Sequence, residues 1–281
     1  MIRSYFGIDK NPFHNEKTEL LAHQSEVFET LKVHNQQGGL CLLVGEPGTG
    51  KSILKQFIKD YDVKRMIVPT LNRTLHTYTN TIKVLCQAFN IDDDGHNNVC
   101  EKRLIEEAIR LNQCHKMLVP IIDDAHLMHM DCLRRLRLLF EDFPKNHNLI
   151  LIGQPQLLHT ITLTVNEDIK SRVTFSATFR KLNPDQMKEF ILSQLDQCGL
   201  GHNTFTEAAI DLIIRSTDGV LRQTKNLCLS SLLEAVRDQT RTVDIPQVNR
   251  VLTQPHWRKE YDLDLSYCLL YTSDAADDNA G

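Results

Sequence analysis

Eight residues constrain this chain more than any others: Gly45-Glu46-Pro47-Gly48-Thr49-Gly50-Lys51-Ser52. They satisfy the spacing G-x-x-x-x-G-K-[ST]. The apolar run Leu40–Val44 before them has strand length. Ile53-Leu54-Lys55-Gln56-Phe57-Ile58 after them repeats apolar residues at helical spacing. Strand, glycine loop and helix in that order predict a phosphate cradle. Glycines let backbone N–H groups close around phosphate oxygens, and the helix N-terminus adds the positive end of a dipole. Lys51 is then expected to reach the β- and γ-phosphates of ATP, and the Ser52 hydroxyl to ligate Mg²⁺. Gly45, Glu46, Pro47, Gly48, Thr49, Gly50 and Ile53 complete the expected ATP-binding loop.

A second motif follows about seventy residues on. Met117-Leu118-Val119-Pro120-Ile121-Ile122 reads as a buried strand that closes on Asp123-Asp124. Acids at the C-terminal end of a parallel strand point into the crevice where open α/β sheets bind ligands. Asp123 is expected to hold Mg²⁺ through water, and Asp124 to polarise an attacking water. Pro120 removes one ladder donor from a central strand, for which a bulge is the only account the sequence offers. A further apolar run, Asn148–Gly153, ends at Gln154. Its amide either orients water and senses phosphate or caps a turn. Arg172 precedes a last strand, Thr174–Phe179. It either stabilises the transferring phosphoryl group, often from a neighbouring subunit, or makes a surface ion pair.

Weaker signals lie between these. The spacing His126-x-x-His129 puts two imidazoles on one helical face and, with Cys132 nearby, invites a metal reading, set against structural or partner contacts. Arg134, Arg135 and Arg137 form either a solvated basic face or a contact for a polyanion or a neighbouring subunit. Asp92-Asp93-Asp94-Gly95 lacks the spaced ligands and final Glu of a calcium loop and reads as a solvated connection. The opening Phe6-Gly7 and Asn11-Pro12-Phe13 form an aromatic, turn-rich arm, either beside an adenine or simply packed on the protein.

Helical spacing predicts helices over 18–33, 74–89 (with Leu75 on its apolar stripe), 101–112 and 133–140. After residue 181 strands cease. Asn183-Pro184-Asp185 starts a helix, Thr204-x-x-Glu207 resembles a capping box, and Val220–Arg237 and Ile245–Leu252 are further helices. The reading is an α/β three-layer domain with a mainly parallel sheet, followed by a small all-helical lid. Its divisions are an arm and helix over 1–37, a nucleotide-binding domain over 38–180, a lid over 181–255 and a tail over 256–281. Arg222, at the start of the lid's long helix, is expected to reach the phosphates.

The bulk composition sets limits. With 281 residues, 41% hydrophobic and 24% charged, the chain is ordinary for a soluble protein. No run of eighteen apolar residues predicts a membrane span, and no apolar stretch near Met1 predicts a signal peptide. Eight cysteines without a C-x-x-C pair fit reduced thiols in a cytoplasm. The net charge of −4 offers no argument for nucleic acid. The segment Cys268–Asp278 resembles the translation of a transposon-end sequencing adapter, so residues from about 267 read either as an artefact or as a disordered acidic tail and are set aside.

The order of these parts resembles an AAA+ ATPase over roughly residues 1–255. The glycine loop, Asp123-Asp124, Gln154, Arg172 and Gly219-Val220-Leu221-Arg222 match the Walker A, Walker B, sensor-one, arginine-finger and sensor-two elements. Many relatives carry Glu where this chain has Asp124, so the hydrolysis rate is less fixed by the resemblance than binding is. Tyr5-Phe6-Gly7, Asn11-Pro12-Phe13 and Gly153-Gln154-Pro155 resemble the ExeA-like group, which holds secretion ATPases and the TniB-, TnsC- and MuB-like transposition ATPases. The resemblance implies an ATP- and Mg²⁺-dependent homo-oligomer, a ring or filament, that binds duplex DNA and recruits or activates a transposase. The alternatives are a motor of a type II secretion or pilus-assembly pathway, partnered by secretion-machinery proteins, and a slow-hydrolysing nucleotide switch for a protein partner.

Overall fold

The computed structural model describes residues 1–13, 20–71 and 77–257. The expected residue Leu75 and the tail beyond Trp257 lie outside the described residues. The chain forms two compact units, Glu16–Arg180 and Met1–Asn15 with Lys181–Gly281. The opening helix α1 (Ile2–Phe6) belongs to the second of these.

The first unit alternates helix and strand. Its elements are α2 (Ala22–Gln37), β1 (Gly39–Gly45), α3 (Lys51–Tyr61), β2 (Met66–Ile67), β3 (Thr70–Leu71), α4 (Tyr78–Ala88) and α5 (Asn97–Gln113). They continue with β4 (Met117–Leu118), β5 (Ile121–Ile122), α6 (Met130–Glu141), β6 (Asn148–Gly153), α7 (Pro155–Thr162), α8 (Glu167–Lys170) and β7 (Val173–Phe179). The strands run in the order β3-β5-β6-β1-β7, every pair is parallel, and β2 pairs with β4. The glycine-loop strand β1 is therefore central. It is buried on both faces, which explains an apolar run without polar alternation. Leu40, Leu42 and Val44 face a core shared with α4, α5, α6 and α7, while Cys41 and Leu43 face Phe28 and Leu31 of α2 and Leu54 and Ile58 of α3. Helices thus cover both faces, giving the three layers that the sequence predicts. Burial also pushes the Cys41 thiol up to about 11, so it stays protonated and inert behind the loop.

Pro120 makes no bulge. The N–H groups of Met117, Val119, Ile121 and Asp123 donate in even two-residue steps to the carbonyls of Arg65, Ile67, Pro69 and Leu71. Pro120 lies between these donors, so its missing N–H falls on the β6 side. Its carbonyl still accepts from Ile150 N–H at 3.0 Å. The proline costs one rung and leaves the register intact, so the strand delivers Asp123 to the sheet's edge on schedule.

The second unit packs α1 against α11 (Leu221–Arg237), with α9 (Pro184–Cys198), α10 (Glu207–Thr217) and α12 (Ile245–Leu252) around them. Asn183 caps α9 in a reciprocal box with Gln186. The cap of α10 is Thr206, whose hydroxyl accepts from Ala209 N–H, and not Thr204, which lies in a 3₁₀ turn. The shift has a tertiary cause: a parallel bridge between Phe205 and Val243 extends the chain there, so this unit is not purely helical. Gly219 has φ 74°, and a Cβ on it would sit 2.3 Å from the Leu182 carbonyl oxygen. Only glycine fits between the end of α10 and the start of α11.

Candidate nucleotide site

The glycine loop joins β1 to α3. Gly48 and Gly50 have φ of 85° and 97°, values that favour glycine. A Cβ on Gly45 would lie 2.7 Å from Phe179 Cβ and 2.9 Å from Thr49 Oγ1, so the strand end also needs a bare backbone. Thr49 is buried and its hydroxyl donates to the Glu46 carbonyl at 2.9 Å, which tightens the turn from within. Lys51 opens α3, and its Nζ donates to the carbonyls of Gly45 at 2.5 Å and Glu46 at 2.7 Å. Its charge is thereby held at the loop. Ser52 is exposed in the same helical turn.

Sheet order brings the acids to this loop's neighbourhood. β6 separates β1 from β5, with Val44 level with Gly153 and Ile122 level with Leu151. Asp123, Asp124 and Gln154 thus follow strand ends on the same edge as Gly45. Asp123 is one-fifth exposed, and both its carboxylate oxygens are engaged. Oδ2 accepts from Lys55 Nζ at 2.6 Å, and Oδ1 accepts from the Asp124 N–H at 3.0 Å. Asp124 is exposed and left-handed, at φ 54° and ψ 33°, and starts a 3₁₀ turn over Ala125–Leu127. Aspartate is among the few side chains that adopt this conformation readily. The backbone thus gives a physical reason for the shorter acid here.

Gln154 precedes α7 and makes no cap hydrogen bond, so the turn-capping reading of its amide fails. Gly153 before it packs closely: a Cβ there would lie 2.8 Å from Leu157 Cδ2 and 3.3 Å from His126 N. Arg172 lies elsewhere. It precedes β7, whose first residue Val173 is level with Leu40, while the last, Phe179, is level with Gly45. Seven residues at about 3.3 Å each put Arg172 roughly 23 Å from the loop of its own chain. Its guanidinium contacts Glu141 at 3.2 Å and remains 60% exposed. Arg222 is exposed in the first turn of α11, in the second unit.

The remaining candidates are structural. Arg134 donates to Asp131, Asp168, Asn166 and the Val165 carbonyl, tying α6 to α8 and the turn before it. Arg135 lies 3.8 Å from the Tyr78 ring centroid, and Arg137 pairs with Glu141 at 2.7 Å. These arginines form no free basic face. His126 lies in the 3₁₀ turn, whereas His129 caps α6, its Nδ1 accepting from Asp131 N–H. They share no helical face, and among the described residues no His/Cys cluster could hold a metal. Asp92 and Asp94 are tied to Arg103, and Asp93 to Gln87, as suits a connection. Lys55 was the residue that the motif alone did not flag, although it lies three residues after Ser52 and four after Lys51, on their face of α3.

The donor set suits a nucleotide and a hard divalent cation. Ser52 and Asp123 offer oxygen ligands of the kind Mg²⁺ takes, and Gly48 and Gly50 carry no side chain into the loop. Residues 33–161 match the family described as "AAA domain". The fold is that of an AAA+ P-loop NTPase. That AAA+ fold is shared with the Aeropyrum pernix ORC1 protein solved in complex with DNA, at TM-score 0.65 and 15% identity over 85% of this chain and 67% of that one. The Aeropyrum pernix ORC2 protein in its ADPNP–ADP complexes gives TM-score 0.65 and 14% identity over 90% of this chain and 71% of that one. The Thermotoga maritima RuvB Holliday junction branch migration motor gives 0.56 and 16% over 85% and 71%. No curated protein matches the chain. Among the described residues no helix is long and apolar enough to cross a membrane.

Proposed function

We propose that this chain is an ATP-dependent, oligomeric AAA+ protein that binds duplex DNA and recruits or activates a transposase there. The observation that carries the nucleotide part is the meeting of α3's first turns with Asp123 beside a glycine loop whose Gly48 and Gly50 take positive φ. When bound, ATP and Mg²⁺ supply the phosphoanhydride and the charge to polarise it. Residues 45–53 cradle the phosphates, with Lys51 on the β- and γ-oxygens and Ser52 and Asp123 holding the cation. Asp124 takes the proton of the attacking water, which Gln154 orients. Arg172 serves a neighbouring subunit, and Arg222, on the helical unit, is the remaining ATP-binding candidate. In this reading residues 38–180 are the nucleotide domain, 181–255 the lid and 1–37 the arm and helix. The sharing of a fold with ORC1–DNA and RuvB supports a DNA-linked role, and the resemblance of the arm and the Gly153-Gln154-Pro155 turn supports the ExeA-like group, which holds the transposition ATPases.

A slow nucleotide switch is the second reading, favoured by the short acid at 124. Asp124→Asn separates the two. Asn keeps the left-handed backbone pose while removing the base. ATP affinity is expected to hold and steady-state turnover to fall about 100-fold. Unchanged turnover would take Asp124 out of the base role and leave the switch.

The DNA part is tested by fluorescence anisotropy of the full chain with a labelled duplex, with an ATP analogue, with ADP and without nucleotide. Binding is expected only with the ATP analogue, with log affinity falling as log salt rises. No binding in any state at low salt would move the reading to the switch or to a secretion motor.

A further inference from the structure

We infer that Lys55 competes with Mg²⁺ for Asp123 and so sets how much divalent cation this site requires. The inference rests on the nucleotide reading above and adds a residue that the glycine-loop spacing does not specify.

The argument starts from charge. Asp123 carries one negative charge, and two positive groups have a claim on it. One is the divalent ion that Ser52 and Asp123 would hold. The other is the Lys55 ammonium, 2.6 Å from Oδ2, at a pair whose side chains are only 17% and 20% exposed. At such burial solvent screens the pair poorly, so the contact is stronger than a surface ion pair. The second oxygen is also occupied, by the Asp124 N–H at 3.0 Å. An incoming cation therefore meets a carboxylate that is already neutralised and doubly hydrogen-bonded.

Geometry keeps Lys55 there. It leaves α3 one turn beyond Ser52, and Leu54 and Ile58 on either side of it are buried in the core. The helix cannot turn to carry Lys55 away without lifting those residues. Only the side chain can move, and its release from Asp123 is the exchange of one cation for another. A lysine that merely positioned Asp123 would assist Mg²⁺ binding. A competitor opposes it, and the two roles predict shifts of opposite sign.

The test measures binding of a fluorescent ATP analogue to the full chain while Mg²⁺ is titrated, for wild type, Lys55→Met, Lys55→Gln and Lys55→Arg. Circular dichroism checks each fold, and Lys55→Gln carries the test if Lys55→Met does not fold. The half-saturating Mg²⁺ concentration is expected to fall about tenfold in Lys55→Met and Lys55→Gln, as unpairing one charge frees the carboxylate. Lys55→Arg, which keeps the charge, should stay within about twofold of wild type. An unchanged or higher Mg²⁺ requirement in the uncharged variants overturns the competition. Failure of wild type to bind the analogue at any Mg²⁺ concentration overturns the nucleotide reading as well.

Discussion

Lys51→Ala is expected to abolish measurable ATP binding and, with it, nucleotide-dependent assembly. The lysine holds its ammonium at 2.5 and 2.7 Å from two loop carbonyls, so it both shapes the loop and supplies its positive charge. Contacts of a charged donor are worth about 1.5–3 kcal/mol each. Two of them to phosphate oxygens amount to about 100-fold or more in affinity. The fold should survive, since Lys51 stands at the first position of α3 and the buried residues of that helix are Leu54 and Ile58, so a thermal melt close to wild type separates lost binding from lost structure. Isothermal titration with ATP and sedimentation with an ATP analogue read the two effects. ATP-induced oligomers from folded Lys51→Ala protein would remove the glycine loop from the mechanism.

Arg172→Ala should bind ATP normally yet hydrolyse it about a thousandfold more slowly, the scale of an arginine that neutralises a transferring phosphoryl group. The strand register is what makes this a prediction about pairs of subunits. With Arg172 level with the start of β1 and the loop at its end, the two cannot meet within one chain. Mixing Arg172→Ala with Lys51→Ala protein creates interfaces where one chain supplies Lys51 and the other Arg172. Turnover should reappear in the mixture, though neither variant alone supports it. Silence in the mixture, with both proteins folded, would mean that Arg172 does no more than pair with Glu141.

Local chemistry was legible before the fold was known, and long-range pairing was not. The strand, loop and helix around Gly45–Ser52 are encoded within twenty residues, and so is the acid-terminated strand before Asp123. The arginines of α6 were ambiguous because their partners, Asp168, Asn166 and Tyr78, come from elsewhere in the chain. His126 and His129 looked like a helical pair because helical spacing was assumed for a segment that folds as a 3₁₀ turn and a cap. The α10 cap slipped by two residues because Val243 draws the preceding chain into a bridge. Lys55 was visible by spacing on α3, but its partner is 68 residues away, and only the sheet order brings them together.

The crowding at Gly153 bears on how such a site can diversify. A side chain there would press on Leu157, whose Cδ2 would lie 2.8 Å from its Cβ, and would crowd the backbone of His126 at 3.3 Å. Its successor, Gln154, is bound by no such demand, since its amide takes no part in capping α7. Position 153 is therefore constrained by volume, while position 154 can exchange one polar group for another without disturbing the frame. Variation among chains of this shape should be concentrated on the second and scarce at the first.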